Sequence, residues 1–110
     1  RAFSEGASPI GILRAVARHL ERLHLALGMV DNGDTFDQAL SKLKPPIIYK
    51  FKSEFLKQMR RWQTDRLAMA LALAIEAEID CKSTGFPAAA GCHRALMRIA
   101  QAARAGNTRT

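Results

Sequence analysis

The side chains best equipped for chemistry are two cysteines, Cys81 and Cys92, three histidines, His19, His24 and His93, and a short acidic run, Glu76, Glu78 and Asp80. Thiols and imidazoles could hold a metal, but no two cysteines stand close together. The spacings also match no zinc pattern, in which ligands come in pairs a few residues apart. Cys92 falls on the inner side of its predicted helix and reads as a small buried hydrophobe. His19 and His24 read as ordinary residues flanking a helix seam. The carboxylates could serve acid–base catalysis only if they converged, and on a helix Glu76 and Asp80 share one side while Glu78 points about 160° away. They read as a solvated acidic surface. With no phosphate loop and no nucleophile elbow, the sequence assigns no catalytic residue, no metal ligand and no cofactor.

Basic charge is the more informative feature. Seventeen Lys and Arg against ten Asp and Glu give a formal charge of +7. Residues 42–66 hold eight of the cations (Lys42, Lys44, Lys50, Lys52, Lys57, Arg60, Arg61 and Arg66) and two acids (Glu54 and Asp65), so that segment carries +6. Such a cluster could meet phosphates, each contact steepening the salt dependence of binding. A solvated face or an acidic protein partner is the alternative, since no aromatic residue is evidently interleaved there for base stacking.

Helices must position these groups. Ser8-Pro9 is a helix start, with a capping hydroxyl and a proline tolerated in the first turn. Leu13, Val16, Leu20, Leu23, Leu27 and Val30 then recur at alternating spacings of three and four, with Arg14, Arg18, Glu21 and Arg22 on the other side. Asp31-Asn32-Gly33 ends that helix, and Thr35 to Gln38 has the spacing of a capping box for a short helix to about Leu43. Lys44-Pro45-Pro46 stops it. A restart at about Ile47 would put Ile48, Phe51, Phe55, Met59 and Trp62 within about 80° of arc, opposite Lys50, Lys57, Arg60 and Arg61. Thr64 is the next cap, with Asp65 at the positive end of the helix dipole. The helix that follows, to about Lys82, has the stripe Leu67, Leu71, Ile75 and Ile79 but also Met69 and Leu73 on other faces, so it is either central or covered by a partner. Ser83-Thr84-Gly85 breaks it. Pro87 opens a last helix with Cys92, Ala95, Leu96, Ile99 and Ala103 inward, and residues 106–110 are expected to fray.

The sum is an all-α fold, a compact bundle of about five helices. A chain of 110 residues, 48% of them apolar, can bury a core in one domain. Its longest apolar run, Leu67 to Ile75, is far shorter than the roughly 20 residues that cross a bilayer. No repeat or low-complexity tract divides it. Two cysteines make no disulfide framework, which points to a reducing, cytoplasmic setting. The start, Arg1-Ala2-Phe3-Ser4, has neither an initiator Met nor a signal-peptide core, and reads as a piece cut from a longer protein.

Several short motifs occur in order: Gly6-Ala7-Ser8-Pro9-Ile10, Ile12-Leu13-Arg14, Arg18-His19-Leu20, Lys44-Pro45-Pro46-Ile47, Phe51-Lys52, Leu56, Arg60-Arg61-Trp62 and Lys82-Ser83-Thr84-Gly85. Together, over nearly the whole chain, this pattern resembles the C-terminal domain of the delta subunit of the bacterial DNA polymerase III clamp loader. In that family, N-terminal domains of the AAA+ type precede it, and the first binds and opens the sliding clamp. No position of this sequence corresponds to its clamp-binding residues. The resemblance implies that residues 1–110 are a single helical collar domain, the part by which loader subunits associate into a circular assembly that places the clamp on primed DNA. It implies an interaction module without catalysis. Its partners would be the other loader subunits, primed DNA, and the sliding clamp through the N-terminal domain. The candidate subunit-interface residues are Leu67, Met69, Leu73 and Met97, of which Met69, Leu73 and Met97 are apolar positions outside the main stripes. The candidate DNA contacts are Lys57, Arg60, Arg61 and Lys82. The run Ala88-Ala89-Ala90-Gly91-Cys92 departs from the family pattern, lacking the bulky apolar and acidic residues of relatives. The alternative function is an autonomous helical nucleic-acid-binding domain using the basic face of residues 42–66.

Overall fold

The structure, a computed structural model, describes residues 8–83 and 85–105. Gly6, Ala7 and Thr84 of the motifs above, the sequence start and the tail expected to fray lie outside the described residues. Within them the fold is all α, a bundle of five helices in the order α1 (Pro9–Asp31), α2 (Phe36–Ser41), α3 (Lys52–Arg61), α4 (Thr64–Cys81) and α5 (Ala88–Ala105). A single 3₁₀ turn, Tyr49–Phe51, leads into α3.

Local chemistry sets the helix ends. The Gly11 N–H donates to Ser8 Oγ at 2.9 Å, and Pro9 sits in the first turn of α1. Beyond Asp31 the chain turns through Gly33, whose φ of +115° suits a residue without Cβ. Thr35 and Gln38 close the capping box at both bonds: the Gln38 N–H donates to Thr35 Oγ1 (3.1 Å) and the Thr35 N–H to Gln38 Oε1 (2.8 Å). Thr64 behaves otherwise than expected. It is the first residue of α4, behind Gln63 at the cap, and its hydroxyl donates to Asp31 Oδ2 at 2.8 Å. Instead of capping α4, it ties the start of α4 to the end of α1.

Packing centres on α4, which lies against both α1 and α5. Its buried positions are Leu67, Ala70, Ala74 and Cys81, with Ala77 half-buried. The spacing of three and four is that of an inward stripe, but the stripe is built largely of alanine. Small residues also stand on the facing helices, Ala17 and Ala26 in α1 and Ala95 and Ala102 in α5, all buried. Two helices can approach the third closely only where side chains are short. Leu20, Leu23 and Leu27 of α1, with Phe55, Met59 and Trp62, fill the rest of the main core. A second cluster of Leu13, Cys81, Cys92 and Ala95 closes the other end.

This arrangement corrects the expected stripe of α4. Ile75 and Ile79 face outward, 44% and 61% exposed, because the alanine side is the one that fits between two helices. Leu71 and Leu73 are half-buried on the two flanks. The run Ala88 to Cys92, where the family pattern fails, has its own packing: Cys92 is fully buried, and the Phe86 ring lies on Gly91, where a Cβ would meet Cε2 and, at 2.7 Å, Cζ of that ring.

The segment between α2 and α3 also departs from expectation. A helix does not restart at Ile47; the chain runs extended past Pro45 and Pro46 to the 3₁₀ turn. The Lys44–Pro45 peptide bond is cis. Phe55, Met59 and Trp62 are buried as expected, whereas Ile48 and Phe51, which precede α3, are exposed. Outside the helix they no longer follow its period, so the arc that would have turned them inward does not apply.

The inversion on α4 yields a test by urea denaturation. Ala74→Leu forces side-chain volume between packed helices and should destabilise the fold by about 1–3 kcal/mol. Ile79→Ser removes a large apolar side chain from the outer surface and should stay within about 0.5 kcal/mol of the parent. The opposite order of effects would show that the isoleucine side faces the core.

Candidate functional site

Two surfaces combine unusual exposure with a definite composition. The first is the outer side of α4. Ala68, Leu71, Ala72, Ile75 and Ile79 share one helical face by their spacing, and of these Leu71 alone is half-buried, the others exposed. No charged residue interrupts that stripe. At its α1 edge Glu78 pairs with Arg14 (Nε to Oε2, 2.9 Å) and with Lys82 one turn on (3.4 Å). The Asp31–Thr64 and Arg14–Glu78 contacts make α1 and α4 antiparallel and set Leu25, itself exposed, level with the first turns of α4.

Placed in this frame, the four candidate interface residues separate. Leu67 has no exposed surface: it is 0% exposed at the centre of the main core, so it belongs to the fold and has nothing to offer a partner. Leu73 is half-buried and packs against the same core. Met69 and Met97 are both exposed. Met97 stands on the outward side of α5, with His93, Arg94, Ala100 and Gln101 one turn away, so it is isolated among mostly polar neighbours. The residues that do form a continuous apolar surface, Ile75 and Ile79, are the ones the sequence pattern placed inside. An alternative stripe, the alanines at spacings of three and four, was the signal that could have revealed this.

The second surface surrounds the 3₁₀ turn and the outer face of α3. Lys57, Arg60 and Arg61 are exposed on α3 as expected. Lys82 is not with them: it lies at the far end of α4, about 27 Å along the helix from Thr64, and is engaged by Glu78. Tyr49, Lys50, Lys52, Leu56, Lys57 and Arg60 line a groove of about 470 Å³. Tyr49 is 89% exposed. The Lys50 ammonium lies 5.3 Å from the Phe51 ring centre, and the Arg60 guanidinium 5.4 Å from that of Phe36. Aromatic rings are therefore interleaved with the cations, contrary to the reading from sequence, in which Phe51 was turned inward and Tyr49 went unassigned. The signal was the pair of prolines, which hold this stretch out of the helix.

A neighbouring cleft of about 540 Å³, lined by His19, Pro46, Ile48, Phe51, Phe55 and others, lies on the opposite side of the turn. His19 Nε2 is 2.7 Å from Gln58 Oε1, and its ring meets Phe55 edge-on at 5.8 Å. The Arg22 guanidinium donates to the Pro45 carbonyl, which holds the proline segment against α1.

Among the other titratable groups, Glu78 has structural partners on both sides. The Arg14 hydrogen bond, aided by Lys82 and opposed by some desolvation, holds the Glu78 carboxyl below the usual carboxylate range. Glu76 and Asp80 line a small hollow whose α5 side carries Arg94 and Arg98. Burial pushes both thiols up, with the Asp80 charge adding at Cys81 and Cys81 adding at Cys92, so thiolate is scarce at neutral pH. Among the described residues no group of three or more His, Cys, Asp or Glu side chains could hold a metal ion. Among the described residues, too, no helix is long and apolar enough to cross a membrane.

Comparison with known proteins agrees with the family pattern at a coarse level. Over 71 residues, 64% of this chain, the sequence is 34% identical to the probable DNA polymerase III subunit delta of Rickettsia prowazekii (strain Madrid E). The aligned stretch is 22% of that relative, so the chain spans well under half of its length. No family model matches, and no solved structure matches. The chain is thus similar to part of a delta subunit.

Two solution measurements check this surface chemistry. Both thiols should react with a disulfide reagent at least about tenfold more slowly in the folded protein than in urea, and fast labelling of Cys92 in the folded chain would contradict its burial. Because the folded Glu78 carboxyl binds its proton less tightly than the unfolded one, its ion pairs stabilise above the ordinary carboxylate range, and that stabilisation fades as pH falls through the lowered pKa. In urea titrations between roughly pH 3 and 6, Glu78→Gln should flatten the acid side of the stability profile; a profile parallel to that of the parent would remove Glu78 from the account.

Proposed function

We propose that this chain is the assembly domain of a clamp-loader delta subunit, a helical collar through which the subunit joins the other loader subunits. In that role it supports placement of the sliding clamp on primed DNA during replication and catalyses nothing itself. Its partners would be neighbouring collar domains, with primed DNA nearby, and the clamp would be held by an N-terminal domain of the same subunit. The setting would be the bacterial cytoplasm.

The observation that carries the reading is the 34% identity to a delta subunit, joined to the ordered motifs from Ser8 to Gly85. The form of the bundle supports it. An apolar stripe of Leu71, Ile75 and Ile79, rimmed by an ion pair, has the composition of an interface core with a polar edge. Such a stripe left in water is costly, and a neighbouring helical domain is the natural cover. Ile75 and Ile79 therefore replace Leu67 as interface residues. Met69 and Leu73, on the opposite flank of α4, are the side on which a second neighbour would sit, with Met97 more peripheral.

Sedimentation of the chain mixed with the C-terminal domains of its loader partners tests the reading. Hetero-assembly is expected, and Ile75→Asp with Ile79→Asp should weaken it about 100-fold while leaving the far-ultraviolet spectrum unchanged. A parent chain that ignores those domains at micromolar concentrations would overturn the assignment.

A further inference from the structure

The cleft between α1, the proline segment and α3 shares no lining residue with the apolar stripe of α4 or with the basic groove across the turn. Its volume of about 540 Å³ suits a small ligand or a few side chains of a partner. Pro45, Pro46, Ile47, Ile48, Phe51 and Phe55 make the lining mostly apolar, and Ile48 and Phe51 leave more than half their surface in water. Four polar side chains, His19, Arg22, Glu54 and Gln58, complete it. His19 and Gln58 hold each other, but Arg22 is not fully satisfied. Its guanidinium donates to the Pro45 carbonyl, yet Nε is shielded from solvent with no acceptor, and among the described residues no carboxylate pairs with the side chain. We propose that this cleft docks a short extended segment of a partner protein, in which two large apolar side chains and one Asp or Glu fall on the same side and Arg22 receives the acid.

Charge complementarity selects the occupant. A shielded donor without an acceptor costs free energy that an arriving acceptor recovers, and a carboxylate on a guanidinium makes stronger hydrogen bonds than a neutral group. Glu54, exposed on the α3 side, sets the limit: a run of acids would meet its repulsion, so the occupant carries one acid among apolar residues. The proline wall suits an extended chain. Ile48 is itself extended (φ −61°, ψ 134°), and among the described residues Ile47 makes no backbone–backbone hydrogen bond, which leaves its N–H and carbonyl for a strand-like neighbour. Side chains of an extended segment alternate, so apolar residues at i and i+2 would cover Ile48 and Phe51 while an acid at i+4 reaches Arg22. The cleft also exists before anything binds. Phe55 belongs to the main core, His19 meets it edge-on and is held by Gln58, and Arg22 fastens Pro45 to α1, so little ordering is left to binding. A fatty acid would bring a carboxylate and an apolar body but nothing for the backbone of Ile47. A nucleic-acid strand carries a charge at every linkage, which an apolar cleft with one arginine does not match.

The test uses the 110-residue chain without loader partners and two fluorescein-labelled, C-terminally amidated peptides, read by anisotropy. They are Gly-Leu-Ser-Phe-Ser-Glu-Gly and its reverse, Gly-Glu-Ser-Phe-Ser-Leu-Gly, because an extended chain can dock in either direction. At least one should bind with a Kd on the order of 100 μM or tighter, and no binding of either at about 1 mM would overturn the proposal. Replacing the peptide's Glu by Gln should weaken binding about tenfold in the parent and make no difference in Arg22→Gln. Equal binding of the Glu and Gln peptides by the parent would overturn the role of Arg22 without any change to the protein. Ile48→Ser, at an exposed side chain, should weaken binding about tenfold with the far-ultraviolet spectrum unchanged. Tyr49→Ala, and Ile75→Asp with Ile79→Asp, should bind as the parent does; a loss in the first would seat the peptide in the basic groove and a loss in the second on the α4 stripe, and either overturns the proposal. Displacement by decanoate or by oligo(dT) at concentrations equal to the peptide would overturn the choice of a peptide. Because no loader subunit is present, failure here leaves the collar assignment untouched, and failure of hetero-assembly leaves this cleft untouched.

Discussion

The close packing of α4 between α1 and α5 is the constraint from which the rest of the structure follows. Ala70, Ala74 and the half-buried Ala77 turn toward the two neighbours, and Ala17, Ala26, Ala95 and Ala102 answer from the facing helices. Short side chains bring backbones together, so much of the contact is dispersion between atoms held at interior density. A helix with alanine on its packed side has its larger residues elsewhere by necessity. Leu71, Ile75 and Ile79 end on one outer flank and Met69 and Leu73 on the other. The apolar surface of the bundle is therefore a consequence of how its centre is packed.

That surface and the basic groove are set by separate devices. The stripe is rigid because it stands on the central helix, and the Arg14–Glu78 pair marks its edge toward α1. An exposed pair of this kind adds little stability and serves more to fix register. The groove depends on Pro45 and Pro46, which keep residues 45–48 out of the helix, and on Arg22, which fastens the Pro45 carbonyl to α1. Tyr49 and Lys50 consequently lie ahead of α3 on a turn, instead of on a helix face where Phe51 would have pointed inward. The two surfaces occupy separate parts of the molecule, the stripe along its central helix and the groove at its proline-led edge.

The cysteines and acids that first suggested chemistry belong to the architecture. Cys81 and Cys92 close the second core cluster with Leu13 and Ala95, and their thiols are made less acidic by that burial. Glu78 joins α1 to α4. Glu76 and Asp80 face the arginines of α5 across a shallow hollow. Each of these groups is better accounted for by helix packing than by a reaction.

The sequence by itself determined where helices begin and end wherever a local group decides the matter: the Ser8 cap, the Thr35–Gln38 box, the turn at Gly33 and the stop at Lys44-Pro45-Pro46 all act within a few residues. It also determined the inner side of α1, because one leucine-rich side stands against one charged side and leaves a single way to bury it. Only the tertiary structure decided which side of α4 faces in. That helix is apolar nearly all round, so its own period offers two answers, and the choice between isoleucine and alanine falls to the shape of the space between α1 and α5. The same holds for Thr64, whose hydroxyl had a partner on α1 that no local pattern contains, and for Tyr49, whose exposure depends on an anchor 23 residues from Pro45 in sequence. Local hydrogen bonding is written in neighbouring residues, whereas complementarity between distant surfaces exists only once those surfaces meet.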